Sequence, residues 1–153
     1  FHASRAAEKL RQEKQKCRLI TAFIRSNRFN TRVRQIYASR CFELIHPTDD
    51  TRVIIKNANR ILDQIFANGY QYAKAGILLS DFTGSYGYQM SLFEGKRDRK
   101  DAAKLMQTVD YINLMEIAKV GFGNQGYQNT WRMKREIKSK RYTTKIEEIP
   151  VIK

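Results

Sequence analysis

The side chains that commonly perform chemistry are few in this sequence, and they are not grouped. Asp49 and Asp50 are adjacent, but they directly precede a predicted helix, where a carboxylate accepts hydrogen bonds from first-turn N–H groups. The chain has two cysteines and two histidines: Cys17, Cys41, His2 and His46. Their spacing fits no four-ligand zinc site and no cysteine–histidine nucleophile. We therefore expect no catalytic residue, no metal and no cofactor in this chain, and we expect both thiols to be free and buried.

A glutamine followed at short spacing by an apolar pair points to peptide docking. The segment consists of Gln89, Met90, Ser91, Leu92 and Phe93, between a stretch rich in Gly, Ser and Tyr and a charged stretch. An extended peptide of this kind can place its Leu–Phe pair in an apolar pocket while the glutamine amide forms hydrogen bonds. The alternative is that the apolar side chains of this segment pack within the chain.

Positive charge is concentrated in two blocks of the sequence. The chain carries 29 Lys and Arg against 15 Asp and Glu, a formal net charge of +14. Residues 1–40 contain eleven of these cations and two glutamates, and residues 132–145 contain seven cations and one glutamate. Such blocks attract polyanions, nucleic acid first among them. The alternative, a basic surface kept for solubility, requires far less charge, since about 2–8 units are enough for a small domain.

The hydrophobic pattern predicts helices and strands in an order typical of an α+β fold. It predicts helices over 3–16, 52–68 and 102–116 and strands over 17–25, 37–45 and 72–82. His46 and Pro47 are expected to end the second strand, because proline cannot donate to a ladder. The order matches a βαββαβ unit without its first strand, with an antiparallel sheet, two helices on one face and the other face free.

The free sheet face is the candidate surface for phosphate contacts. Lys74 lies opposite the apolar stripe of the third strand, and Gly76 on the same face would let backbone approach a phosphate. The alternative for Gly76 is a β-bulge. Further cations on the first two strands and in the loop between them are Arg18, Arg25, Arg28, Arg32, Arg34 and Arg40. The pattern does not rank them, since both faces of the first strand are apolar.

Several segments resemble, in order, the C-terminal region of UmuC-type Y-family translesion DNA polymerases (DNA polymerase V catalytic subunit). They are residues 5–11, 17–18, 23–24, 46–50, 74–77 and 81–82, followed by Trp131, 133–135 and 141–144. The segment 89–93 resembles the bacterial sliding-clamp-binding motif Gln-x-x-Leu-Phe and lies where this family places it.

The resemblance implies three parts of the chain. Residues 1–82 would be a little finger-like DNA-binding domain, 83–97 a linker with the clamp-binding motif, and 98–153 a small, helical, basic C-terminal extension. In a ferredoxin-like sheet the missing first strand would be internal, so its loss would leave backbone groups unpaired. The family's catalytic carboxylates and their magnesium belong to a palm domain that has no counterpart here.

The resemblance also implies a role and partners. The role is error-prone DNA synthesis in the SOS response to DNA damage, in the bacterial cytoplasm and at the nucleoid. The partners are damaged or primer-template DNA, the sliding clamp, the processed UmuD dimer and the RecA filament, with no membrane. A free-standing basic DNA-binding or regulatory protein derived from such a domain is the alternative.

Overall fold

The described part of the chain folds into three helices and three strands in a computed structural model. The structure describes residues 1–84, 96–115, 118, 120–123, 139–140 and 149, with the backbone alone for 96–100. The elements are α1 (His2–Gln12), β1 (Gln15–Ser26), β2 (Tyr37–Thr48), α2 (Thr51–Ile65), β3 (Tyr72–Gly84) and α3 (Lys96–Leu114). The predicted α+β class is confirmed.

The strands form one antiparallel sheet in the order β2-β1-β3. Cα partners along β1 and β3 run without a shift from Gln15–Gly84 to Arg25–Lys74. The expectation that the missing first strand leaves unpaired backbone groups inside the sheet is therefore wrong. The crossover through α2 returns β3 directly beside β1, so β1 has hydrogen-bonded neighbours on both sides.

Both α1 and α2 pack on one face of the sheet. Ala7 and Leu10 of α1 meet a cluster of buried residues from α2, β1 and β2: Ile54, Ile61, Cys17, Ile20, Ala22 and Leu44. Ile77 and Leu79 of β3 pack at its edge. Burial of each large aliphatic side chain contributes about 1.5–3 kcal/mol, so this cluster fixes which sheet face is covered.

One arginine joins three helices. The Arg11 guanidinium donates to both carboxylate oxygens of Asp110, at 2.6 and 2.7 Å. It also donates to the Asp49 carbonyl at 2.7 Å and the Thr51 hydroxyl at 2.8 Å. Because the Arg11 side chain is only 10% exposed, these bonds hold α3 and the start of α2 against α1.

The ends of two elements differ from the prediction. α1 stops at Gln12 because Lys14 has a positive φ of 52°, a turn that its charged, helix-favouring neighbours do not signal. α2 begins after Asp50, whose carboxylate accepts from the Arg52 N–H at 2.8 Å, so the predicted cap is confirmed. It ends at Ile65, three residues earlier than predicted, and Gly69 beyond it has a positive φ of 84°.

β2 continues through Pro47, so the predicted end of this strand at His46-Pro47 is wrong. Glu43 pairs with Leu19 and Thr48 with Cys17, which leaves residues 44–47 opposite the single residue Arg18. Proline is tolerated here because β2 is an edge strand and the ladder is irregular at this point.

Two further side chains lie where the pattern did not place them. On α3, the helical spacing of Ala102, Leu105, Val109 and Ile112 predicts Leu105 on the apolar face, but Leu105 is 44% exposed and Met106 is 1% exposed. Cys17 is buried, and burial raises the pKa of its thiol to about 11, but Cys41 is exposed. The expectation of two buried thiols therefore holds only for Cys17, because Cys41 lies on the uncovered face of an edge strand.

We expect Arg11→Met to lower the free energy of unfolding by about 3 kcal/mol, because it leaves the Asp110 carboxylate without its cation. Arg5→Met is the matched control on the same helix, since the Arg5–Glu8 pair is exposed and contributes about 0–1 kcal/mol. Urea unfolding of both variants measures the difference. Equal, small losses in the two variants would contradict this role of Arg11.

Candidate nucleic-acid interface

The sheet face opposite the helices carries a regular set of side chains, which we call the open face. On β1 these are Leu19, Thr21, Phe23 and Arg25, which alternate with the buried Ile20, Ala22 and Ile24. Pairing adds Glu43, Cys41, Ser39 and Tyr37 from β2 and Ser80, Leu78, Gly76 and Lys74 from β3. Paired residues of an antiparallel ladder point to the same side, so this set forms one surface.

Cations converge at one end of the open face. Arg25 of β1 lies between Tyr37 of β2 and Lys74 of β3. Lys74 is exposed and Arg25 is partly exposed. The segment from Arg25 to Phe42 contains five arginines and no carboxylate. We call Arg25, Lys74 and the adjoining loop 27–36 the basic end.

The loop 27–36 is held in place by one amide. The Gln35 Nε2 donates to the carbonyls of Asn27, Asn30 and Val33 at 3.2, 2.8 and 3.1 Å. The Ser26 hydroxyl donates to the Gln35 Oε1 at 2.9 Å. The loop therefore has a defined backbone from which three exposed arginines project: Arg28, Arg32 and Arg34.

Aromatic rings position two of these arginines. The Arg34 guanidinium lies 4.7 Å from the centre of the Tyr70 ring, which joins the loop to the chain before β3. The Arg28 guanidinium lies 5.0 Å from the Phe29 ring. A cavity of about 260 Å³ at the base of the loop is lined by Arg25, Ser26, Arg28, Gln35, Ile36 and Tyr37. This arrangement presents guanidinium donors around a concave surface.

Gly76 has an intramolecular reason to lack a side chain. A Cβ at this position would overlap the Cζ and Cε1 atoms of Phe23 on the paired strand. The Phe23 ring also stacks on Tyr37, with centroids 6.5 Å apart. The ring occupies the space that we assigned to an approaching phosphate. The pairing contains no bulge here, so this alternative is wrong, and a phosphate contact at Gly76 stays a prediction.

Arg18 is neutralised by two carboxylates. Its Nε donates to Asp81 at 2.6 Å, and its Nη1 lies 3.5 Å from Glu43. The hydrogen bond that Arg18 donates to Asp81 is the main cause that raises the pKa of the Arg18 guanidinium. Asp81 has a positive φ of 54° within β3. We call Arg18, Glu43 and Asp81 the acidic triad, because it carries one positive and two negative charges.

Arg40 does not share the open face with Lys74. It pairs with Ala22, whose side chain is buried under the helices. Arg40 remains exposed because β2 is the edge strand. The sequence groups Arg40 with the cations of the free face, and this grouping is wrong for Arg40, since its register position places it on the opposite side.

Sequence reasoning missed several residues of this surface. Tyr37, Phe23, Glu43 and Asp81 become neighbours of the predicted cations only through the strand register. An alternating count along each strand could have placed Tyr37 and Glu43 on one side. The residues 89–93 lie outside the part of the chain that the structure describes, so their role as a clamp-binding motif stays a prediction.

A larger cavity, of about 530 Å³, lies where β2, α2 and α3 meet. Its lining includes Phe42, Leu44, Pro47 and Met106, together with Asp50. The Asp50 carboxylate is already engaged by the Arg52 N–H and guanidinium. Among the residues whose placement is described, no three His, Cys, Asp or Glu side chains are grouped to hold a metal ion. No helix within the described ranges is long and apolar enough to cross a membrane.

The fold and its basic face define a small α+β domain, and comparisons with known proteins give its family. Residues 1–92 match the model of the impB/mucB/samB family C-terminal domain, and residues 103–152 match a domain of unknown function, DUF4113. The chain therefore belongs to the impB/mucB/samB family.

Curated relatives extend the similarity along the whole chain. The chain is 43% identical over 151 residues to Protein ImpB of Salmonella typhimurium, which covers 98% of this chain and 35% of that protein. It is 43% identical to Protein SamB of the same organism and 39% identical to Protein UmuC of its strain LT2, with 99% of this chain and 36% of each relative covered. The chain thus spans about a third of the length of these relatives.

We expect Gly76→Ala to destabilise the chain by about 1–2 kcal/mol, because the added methyl overpacks against the Phe23 ring. In a Phe23→Ala background the same change should cost little, since alanine is otherwise preferred to glycine in a strand. Gly84→Ala is the control, because nothing lies within 4 Å of its added Cβ. The unfolding free energies of Gly76→Ala, Phe23→Ala, the double variant and Gly84→Ala measure the coupling between positions 23 and 76. If the losses of the two single variants simply add in the double variant, the proposed contact is contradicted.

Proposed function

We propose that this chain is the DNA-holding C-terminal part of an error-prone translesion DNA polymerase. The observation that carries this proposal is the basic end, where cations from two strands and the loop 27–36 converge. Among the described residues, the ion pairs of the chain lie elsewhere. Phosphate oxygens are the ligands that such guanidinium and ammonium groups prefer. Membership of the impB/mucB/samB family supports the assignment to a polymerase of the SOS response.

Binding is proposed to be independent of base sequence. The open face offers the cations Arg25 and Lys74 and exposed apolar side chains such as Leu78. They lie on a sheet, not on a helix that enters a major groove. Contacts of this kind fix the position of a duplex but carry no sequence information. A primer-template duplex could therefore move across the surface during synthesis.

Catalysis is assigned to a part of the polymerase outside this chain. The relatives are about three times as long as the matched region, and we infer that the nucleotide and magnesium sites belong to the remainder. On this account the chain acts by holding DNA rather than by turning over nucleotides.

Residues 89–93 are proposed to tether the polymerase to the sliding clamp. A tether raises the local concentration of a weak DNA-binding surface near the primer end, so neither contact needs to be tight. The processed UmuD dimer and the RecA filament are proposed as further partners, and the cytoplasm and nucleoid as the location. Residues 1–82, 83–97 and 98–153 remain the proposed domain division.

A free-standing basic DNA-binding protein is the second candidate. The concentration of charge at the basic end favours it as much as it favours the polymerase. The two differ in the clamp contact, since a protein that only binds DNA requires none. Clamp binding therefore separates them.

The DNA contact is tested with Arg25→Ala combined with Lys74→Ala. We expect the slope of log affinity against log salt for a short duplex to fall by about two, one for each lost phosphate contact. Arg40→Ala with Arg60→Ala removes the same charge outside the open face and should change the slope by less than about one. Fluorescence anisotropy between 50 and 200 mM salt gives both slopes. A strong preference for one base sequence, or equal losses in both variants, would contradict the proposed surface.

The clamp contact is tested with Gln89→Ala, Leu92→Ala and Phe93→Ala in one variant. We expect binding to the bacterial sliding clamp to weaken at least about tenfold, because hot-spot side chains in apolar pockets contribute about 2 kcal/mol or more each. Met90→Ala with Ser91→Ala is the control within the same segment. Surface-immobilised clamp provides the measurement. Unchanged binding by the triple variant would remove this segment from the account.

A further inference from the structure

The open face has opposite charge at its two ends. The basic end carries Arg25 and Lys74, and the acidic triad lies seven residues away along β1, at Arg18. At about 3.4 Å per residue this separation is roughly 24 Å. Between the two ends the face is uncharged, with Thr21, Phe23 and their partners.

The acidic triad contains two carboxylates and one guanidinium, so its formal net charge is negative. Asp81 accepts from the Arg18 Nε at 2.6 Å, and Glu43 lies 3.5 Å from its Nη1. Glu43 remains 62% exposed and Asp81 34% exposed, so both can act on a charged ligand at the surface. Glu43 lies on the open face as the partner of Leu19, and Asp81 is joined to it through Arg18.

We propose that Glu43 and Asp81 confine the phosphate backbone to the basic end of the open face. They do so by engaging Arg18, which would otherwise be a phosphate donor, and by repelling a duplex that extends across the whole sheet. The inference rests on the proposed DNA binding and adds to it a fixed placement of the duplex along the strands.

The repulsion between the acidic triad and DNA phosphates must be local. At 0.15 M salt the screening length is about 8 Å, roughly a third of the distance between the triad and the basic end. The triad therefore leaves contacts at Arg25 and Lys74 unchanged and acts only on phosphates that reach the far end. Its removal should add a contact rather than strengthen the existing ones.

Glu43→Gln combined with Asp81→Asn tests this placement. Both changes retain side-chain size, and asparagine tolerates the positive φ at position 81. We expect affinity for a duplex of about 20 base pairs to rise about five- to tenfold near 0.1 M salt, and the salt slope to steepen by about one, as one new phosphate contact requires. Glu13→Gln with Asp63→Asn makes the same charge change on and beside the helices and should alter affinity less than about twofold.

Arg18→Ala supplies the second measurement. In the otherwise unchanged chain we expect it to alter affinity less than about twofold, whereas in the Glu43→Gln, Asp81→Asn background it should abolish the gain. Equal tightening by the control pair, or no tightening by the triad pair, would overturn the placement while leaving DNA binding intact. A folded wild-type chain without salt-dependent duplex binding would overturn both the placement and the proposed function.

Discussion

The antiparallel pairing of β1 with β3, which keeps one register from Gln15–Gly84 to Arg25–Lys74, is the constraint on which the functional surface depends. It places Arg25 beside Lys74, sets the Phe23 ring over Gly76, and brings Asp81 to Arg18. A slip by one residue would move every side chain of a strand to the other face. The hydrophobic cluster prevents that slip, because Ile20 and Ala22 must remain under the helices. The chemistry of the open face is thus a consequence of what the opposite face buries.

The helix layer adds a second connection, between the sheet domain and the residues that follow it. Arg11 contacts α3 through Asp110 and the start of α2 through Thr51, so one guanidinium fixes three helices. Met106 of α3 is buried. The match to the family's C-terminal domain ends at residue 92, before α3 begins. Arg11 therefore joins two regions that match different family models, with Asp110 inside the second.

Periodicity predicted the elements and the buried stripes, because burial of one face imposes a period of two or 3.6 along the chain. It placed Lys74 opposite Ile77 correctly. It failed where a long-range partner decides the outcome: Pro47 stays within β2 because the edge strand is irregular there, and Arg40 faces away because it pairs with Ala22. Periodicity also could not predict the ion pairs of Arg18, because Glu43 and Asp81 are distant in sequence and contact Arg18 only through the strand register.

Amide chemical-shift changes on addition of a short duplex would show which face of the chain holds DNA. We expect the largest changes at the basic end, in Arg25, Lys74 and residues 27–36, with little change near Arg18 or along α1 and α2. Changes confined to the helices or to the basic residues 132–145 would contradict the claim that the open face holds DNA. Changes of equal size at both ends of the sheet would contradict its polarity.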